Sequence, residues 1–435
     1  MENSVCRRLN TLSRHLWIEN ETNQALQLNC LSAMDGISDP VIIGAMIMDI
    51  HATPSIPAQP RTTTPGMVHY ISGGVARNIA ECMTKLGNKP FMISMIGDDV
   101  AGNLLFAYWK SAGLAIQGIQ RRQDVGTPVV CNVFDANGEL AAAVASVEAI
   151  EEFLTEEWIQ RFKGNILSAP VVMIDANLNP SSLEASCQIA AESGVPVWFE
   201  PVSVTKSKRV VSVAKHITFA SPNEDELIAM ANAVSCNDRF SSIQMKANIG
   251  SKSVEHLFQM LKPAMRVLID KGIKLVIVTL GPNGVLLGSM ARQNLTNYHL
   301  KNINPSCYKK QLYENVTSRC PSTELLSEFD RRRSDLILVH FPSLPAAVVR
   351  LTGAGDCFVG GTLASLCAGL DVMQSIAVGM AAAKAAVEVE TNIPSEYVLA
   401  TIADDAQRIH SSAKNVTVKA WRQNHVLDIG WDQGF

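Results

Sequence analysis

Aromatic residues make up only 6% of this 435-residue chain, and positive charge is not in excess, with 37 Lys and Arg against 41 Asp and Glu. A formal net charge of -4 offers no basic surface to a phosphate backbone or an anionic membrane, so nucleic acid and membrane partners are not expected. The ten cysteines include no C-x-x-C pair and no His-rich ligand spacing, which excludes a disulfide framework and a zinc site and points to buried thiols in a reducing compartment. No apolar run approaches the roughly 20 residues of a membrane span. Internal repeats and low-complexity tracts are also lacking. What remains is a soluble globular chain, 47% apolar, long enough for one large domain with a small addition.

Short apolar runs bounded by polar or breaker residues carry the fold. Residues 41–48 (V-I-I-G-A-M-I-M) read as a strand buried on both faces, and 171–174, 195–199, 216–219 and 274–278 repeat the type. Helical stretches such as 181–192 and 224–233 lie between them. Strands alternating with helices predict an α/β fold with a parallel sheet covered on both faces. Two segments interrupt the alternation. Residues 127–145 read as a hairpin turning at D-A-N-G, a lid over a site or a clasp for a second copy through Ala141, Ala142 and Ala143. Residues 290–335 read as an irregular surface insertion carrying Arg331, Arg332 and Arg333.

The chemistry concentrates at glycine-rich turns. Residues 351–361 (L-T-G-A-G-D-C-F-V-G-G) are expected to follow an apolar strand at 346–349 and to open a helix. Small residues Gly353, Ala354 and Gly355 would let backbone amides at a helix N-terminus approach an anion. Asp356 in the same turn would accept a proton from an attacking hydroxyl. The alternative is tight helix packing with Asp356 as an N-terminal cap. A second turn, Gly73, Gly74 and then Asn78 on a first helical turn, would offer close approach and an amide to sugar hydroxyls. Asp49 would accept from a pair of ribose hydroxyls, or would be a strand-terminal turn residue. Asn223 and Glu226 stand in N-x-x-E spacing, and Glu226 could hold Mg²⁺ through water. Thr279, Gly281 and Gly284 end a strand in a turn suited to phosphates or ribose.

These motifs, in this order, resemble the ribokinase-like or PfkB family of carbohydrate and nucleoside kinases over about residues 41–410. The resemblance implies a three-layer α/β/α sandwich with a mostly parallel sheet and a small β lid, ATP with Mg²⁺, and transfer to a sugar hydroxymethyl. It makes Asp356 the base and Gly353, Ala354 and Gly355 the anion hole. Asp49, Gly73, Gly74, Asn78, Thr127 and Asn177 become substrate contacts, Asn223, Thr279, Gly281, Gly284 and Thr352 ATP contacts, and Glu226 the metal residue. Residues 47–52, 73–81, 137–145 and 174–178 are most similar to pseudouridine kinases of the plant peroxisomal type, which implies the 5′-hydroxyl of pseudouridine as acceptor. Another nucleoside, ribose or fructose remains open, as does an inactive scaffold. Arg350 stands where members often carry Asp or Asn beside a monovalent-cation site, so K⁺ is left open. Ser146 stands in the lid where pseudouridine kinases favour Asp.

The expected organisation is a targeting extension and linker at 1–39, a kinase domain at 40–415 with the lid at about 125–147, and a tail at 416–435. Residues 8–16 (R-L-N-T-L-S-R-H-L) resemble the nonapeptide address of peroxisomal matrix proteins. A frayed basic tail or a mitochondrial-type presequence would look similar, and without an address the chain would be cytoplasmic.

Overall fold

The computed structural model describes residues 39–59, 61–135, 140–236, 240, 254–290, 300, 307–321 and 336–416. The proposed address at 8–16, the tip of the lid hairpin, most of the 290–335 insertion and the tail beyond 416 lie outside the described residues.

The main sheet follows from the apolar runs. In spatial order it consists of Lys414–Asn415, Leu336–Phe341, Val285–Met290, Leu275–Thr279, Phe219–Ala220, Val197–Glu200, Val172–Asp175, Val41–Ile43, Phe91–Gly97 and Ile119–Arg122. Pairing is parallel from Leu275–Thr279 through Ile119–Arg122 and antiparallel among the strands on the other side. Successive residues of one strand enter opposite layers, which is why the runs are apolar without alternation. Ile42 and Met173 pack with helices Val75–Lys85, Ala354–Ala368 and Val372–Val387, whereas Val41, Ile43, Val172 and Ile174 pack with Pro180–Glu192, Glu224–Ser235 and Val254–Asp270. The result is the expected three-layer sandwich.

Several local expectations need correction. The run 41–48 is not one strand: Val41–Ile43 stays in the main sheet, the chain turns at Gly44, and Ile47–Pro54 departs into a second sheet. A side chain at Gly44 would put a Cβ 2.2 Å from Asp175 Oδ2, so the turn is available only without one. The lid is a four-stranded sheet, Gly66–Gly73, Ile47–Pro54, Val129–Phe134 and Leu140–Ser146, and the hairpin read from the sequence supplies half of it. Residues 346–349 form no strand; the last residues paired before the glycine turn are Leu336–Phe341. Exposed Val348 and Val349 have no sheet to enter, and Val349 instead donates its amide to Val387 O. The run 216–219 is helical at Ala214–His216 and reaches the sheet only at Phe219–Ala220. Within the insertion, Cys307–Thr317 is a helix. Among the described residues no helix is long and apolar enough to cross a membrane.

Helix Ala354–Ala368 packs against helix Val75–Lys85 at very short range. A Cβ at Gly360 would lie 2.7 Å from Cys82 Cβ and 2.9 Å from Ile79 O. Gly360→Ala should therefore cost about 1–3 kcal/mol through overpacking and lower the thermal midpoint. An unchanged midpoint in a melting experiment would show that the helices are not held this close.

Candidate active site

The two helices that Gly360 brings together begin side by side. Gly74 precedes Val75–Lys85 with φ of 97° and leaves no room for a side chain, since a Cβ would sit 2.4 Å from Ala45 O. Gly353 precedes Ala354–Ala368 with φ of 84°, where a Cβ would meet Asn392 O at 2.1 Å. Both starts need the left-handed conformation that glycine adopts at low cost. One helical turn into the first helix, Asn78 Nδ2 donates to Asp356 Oδ2 at 2.7 Å across 278 residues of sequence.

A buried relay fixes that contact. Arg77 Nη2 donates to Asn78 Oδ1 at 2.8 Å and pairs with Glu81 at 2.7 Å, and Glu81 also receives Lys85 and the Tyr108 hydroxyl. Asn78 thus has its oxygen and one amide hydrogen occupied by protein. The sequence reading gave it to the substrate sugar; in this structure it orients the Asp356 carboxyl. Burial pushes Asp356 up to about 7, with the Asp175 and Asp49 carboxylates adding and the Asn78 amide and Arg77 charge opposing. An acid with a pKa near neutrality suits proton acceptance at physiological pH.

The turn before Asp356 is open on its cleft side. Ala354 donates its amide to Leu351 O, so it is not free for an anion as expected. The Gly355 and Asp356 amides lie in the first helical turn, where no intrahelical acceptor exists. A Cβ at Gly355 would meet nothing within 4 Å, and Thr352 beside it is exposed.

Asp49 is the third residue of the lid strand Ile47–Pro54, not a turn residue beyond the first strand. Its Oδ2 receives Asn392 Nδ2 at 3.2 Å, and a Cβ at Gly73 would sit 2.1 Å from it, so Gly73 makes room for the carboxylate. Burial raises the Asp49 pKa, and the Asn392 amide, Arg77 and Arg350 counter it. Thr127 has its hydroxyl engaged within the protein. Its hydroxyl donates to Asp99 Oδ1 at 2.6 Å and accepts from Gly97 N at 2.9 Å, closing the loop that leads into the lid. Asn177 is buried with its Oδ1 taken by Lys206 Nζ at 2.7 Å, leaving its Nδ2 without a partner among the described residues.

On the nucleotide side, Asn223 and Glu226 form a reciprocal cap on Glu224–Ser235: Glu226 N donates to Asn223 Oδ1 and Asn223 N donates to Glu226 Oε2, each at 2.9 Å. The spacing read as a metal motif is thus also a helix start. Glu226 still lies close enough to Glu200 to push that buried carboxyl further up, and burial is the larger cause there. The Glu200 Oε2 accepts from the Ser221 hydroxyl. Among the described residues no group of three or more His, Cys, Asp or Glu side chains could hold an ion. The two carboxyls could hold a hydrated Mg²⁺, whose coordination phosphate and water would complete. Thr279 bridges to Asn223 at the end of its strand. Gly281 is open, whereas a Cβ at Gly284 would clash with Phe341 O at 2.0 Å, so Gly284 serves the packing of its strand.

The model of the pfkB family carbohydrate kinases matches residues 38–306 and 337–396. The chain belongs to the pfkB family. This pfkB kinase is 51% identical over 382 residues to a pseudouridine kinase of Arabidopsis thaliana, covering 87% of this chain and 98% of that relative. It is 28% identical over 186 residues to a pseudouridine kinase of Escherichia coli, covering 43% of this chain and 58% of that one. Among solved structures, an Arabidopsis thaliana ribokinase with ribose and ATP aligns with a TM-score of 0.59 at 18% identity, over 85% of this chain and 99% of that one. A Cryptococcus neoformans ribokinase with ADP gives 0.59 at 19%, over 84% and 99%. At such identities the solved structures establish the ribokinase-like fold.

Sequence reasoning missed Arg77, Asp175, Glu200 and Asn392. Arg77 sits inside the stretch 73–81 and Asp175 within 174–178, but only the tertiary contacts give them partners.

Folding raises the Asp356 pKa from 3.8 to about 7, so the folded state binds the extra proton between those values and loses stability as pH rises through them. Asp356→Asn should therefore melt higher than the wild type at pH 8, and the gap should close near pH 4. The same variant should lower kcat by about 10²- to 10⁴-fold while keeping ATP affinity. Turnover close to wild type would exclude Asp356 as the proton acceptor.

Proposed function

We propose that this chain transfers the γ-phosphoryl group of ATP to the 5′-hydroxyl of pseudouridine, giving ADP and pseudouridine 5′-phosphate. The 51% identity to a pseudouridine kinase across 98% of that relative carries the choice of substrate. The half-buried carboxyl of Asp356, held by Asn78 at a glycine-opened helix start, supports the choice of chemistry.

In this reading Asp356 takes the proton of the 5′-hydroxyl as its oxygen forms a bond to the γ-phosphorus and the bond to the ADP oxygen breaks. The Gly355 and Asp356 amides, with the helix dipole, favour the charge that gathers on the phosphoryl oxygens. Asp49 accepts from the ribose diol, and the lid strand that carries it covers the sugar. Asn223, Thr279, Gly281 and Thr352 lie along the path of the nucleotide. Glu200 and Glu226 would hold Mg²⁺ through water, and the ion would supply charge neutralisation at the phosphates. Arg350 places a fixed cation beside Asp49, and we leave K⁺ without an assigned ligand.

Two features outside the chemistry complete the proposal. The nonapeptide-like segment at 8–16 supports delivery to peroxisomes, which a fluorescent fusion with residues 1–39 tests; a diffuse cytosolic signal would overturn it. The outer lid surface exposes Val68, Tyr70, Val133 and Val144, an apolar face that supports a homodimer. Tyr70→Glu should shift the species seen by sedimentation to a monomer, and a wild-type monomer at micromolar concentration would contradict the dimer.

Substrate identity has a direct assay. ADP release measured with pseudouridine, uridine, other nucleosides, ribose and fructose should give the highest kcat/KM for pseudouridine. A higher value for any other acceptor on that panel would refute the assignment.

A further inference from the structure

Connecting segments usually run over the surface, because a buried one carries backbone groups that are hard to satisfy. The stretch 388–398, between helices Val372–Val387 and Leu399–Ser412, departs from that rule. Asn392, Ile393 and Tyr397 in it are 2%, 4% and 8% exposed. Two helices tie it down. Lys85 Nζ, on Val75–Lys85, donates to Pro394 O at 2.7 Å, and the Tyr397 hydroxyl lies between Cys82 Sγ at 3.3 Å and Cys357 Sγ at 3.2 Å. These are the two helices whose first turns hold Asn78 and Asp356.

Within this stretch Asn392 touches both halves of the site. Its backbone oxygen lies against the glycine turn: a Cβ on Gly353 would strike it at 2.1 Å, and Cys357 Sγ donates to it at 3.7 Å. Its side chain reaches the lid. Nδ2 donates to Asp49 Oδ2 at 3.2 Å and to Ser72 O at 3.4 Å, and these acceptors stand on the paired strands Ile47–Pro54 and Gly66–Gly73. Oδ1 has no partner among the described residues. A buried acceptor left unpaired costs free energy, so packing alone does not account for an amide here. What the asparagine supplies is its pair of N–H donors on the lid side.

Those donors matter to the carboxylate they meet. Burial raises the Asp49 pKa, and the Asn392 amide is the largest of the opposing influences, ahead of the Arg77 and Arg350 charges. The Asp49 carboxylate in turn acts on Asp356. The two acids therefore stand near each other, one on the lid and one on the turn. Asn392 contacts Asp49 directly and backs the turn that carries Asp356.

Under the pseudouridine kinase reading, on which the inference rests, Asp49 holds the ribose diol and Asp356 takes the 5′ proton. We propose that Asn392 is a positioning residue that sets the distance between these two points, so that a diol held by Asp49 leaves the 5′-oxygen within reach of Asp356. Asn392 touches no reacting atom in this scheme. Its effect is on alignment, and a misplacement of about 1 Å can cost on the order of 10²-fold in rate.

Two variants test it through ADP release with pseudouridine. Asn392→Leu keeps a similar volume and removes the donors, and kcat at saturating pseudouridine should fall roughly 10- to 100-fold while KM for ATP stays at the wild-type value. A loss confined to KM for pseudouridine would show that the amide serves binding alone and would overturn the proposal, as would a wild-type kcat. Asn392→Asp sets a second carboxyl against Asp49, and two acids so close share one proton. The protonated acid offers an O–H donor in place of the amide, so kcat relative to the wild type at the same pH should rise about 10-fold from pH 8 to pH 6. Dividing by the wild type at each pH cancels the titration of Asp356 common to both. A ratio that stays flat or falls would overturn the proposal even if the leucine variant fails to fold. A wild type that ignores pseudouridine but phosphorylates another acceptor would remove the functional reading itself, a result distinct from wild-type turnover that survives both substitutions.

Discussion

The hydrogen bond from Asn78 to Asp356 is the contact on which the site depends. It joins the first turns of two helices distant in sequence, and it exists because the helix interface is glycine-thin at Gly360. Asn78 is in turn held by Arg77, and Arg77 by Glu81, so the orientation of one carboxyl draws on a buried charged network. Such a network is favourable only when each member is satisfied, and removing one leaves an uncompensated charge. Under the proposed function, the arrangement would fix the proton acceptor in place before any substrate arrives, which is where positioning contributes to phosphoryl transfer.

Electrostatics gives the cleft a second common feature. Asp49, Asp175, Asp356, Glu200 and Glu226 all have pKa values raised by burial first of all. Five acids around one cleft disfavour further negative charge unless cations and donors accompany it. That condition matches a nucleotide arriving with Mg²⁺ and an acceptor that brings hydroxyl protons. Asp175 is also the reason Gly44 has no room for a side chain: it takes the Ala45 amide at 2.9 Å and is pinned beneath the point where the chain departs for the lid.

Much of the fold was legible locally. Apolar runs such as 171–174 and 274–278 declare strands buried on both faces, and helical stretches such as 224–233 stand out between them, although the cap at Asn223 and Glu226 was read as metal spacing. The glycine turn at 353–355 and Asp356 were legible for the same reason, since the amides, the small residues and the acid are neighbours in sequence. What stayed hidden was long-range. The split of 41–48 turns on a carboxylate 130 residues away. The strand Ile47–Pro54 ends in Thr53 and Pro54 and Gly66–Gly73 begins and ends in glycine, with no clean alternation in either, so half of the lid gave no signal. Asn78 and Thr127 were identified as residues of interest, but their partners come from Asp356 and Asp99. Asn392 belongs to no motif at all and becomes visible only when the lid is set over the turn.

The central claim is geometric, and a crystal structure with pseudouridine and a non-hydrolysable ATP analogue tests it most directly. The account predicts the 5′-oxygen within hydrogen-bond reach of the Asp356 carboxylate, about 2.6–3.2 Å. It also predicts that Asn78 still donates to Oδ2 and that the terminal phosphate faces the Gly355 amide. A 5′-oxygen directed elsewhere, or an Asp356 carboxylate rotated out of the cleft with substrate bound, would contradict it.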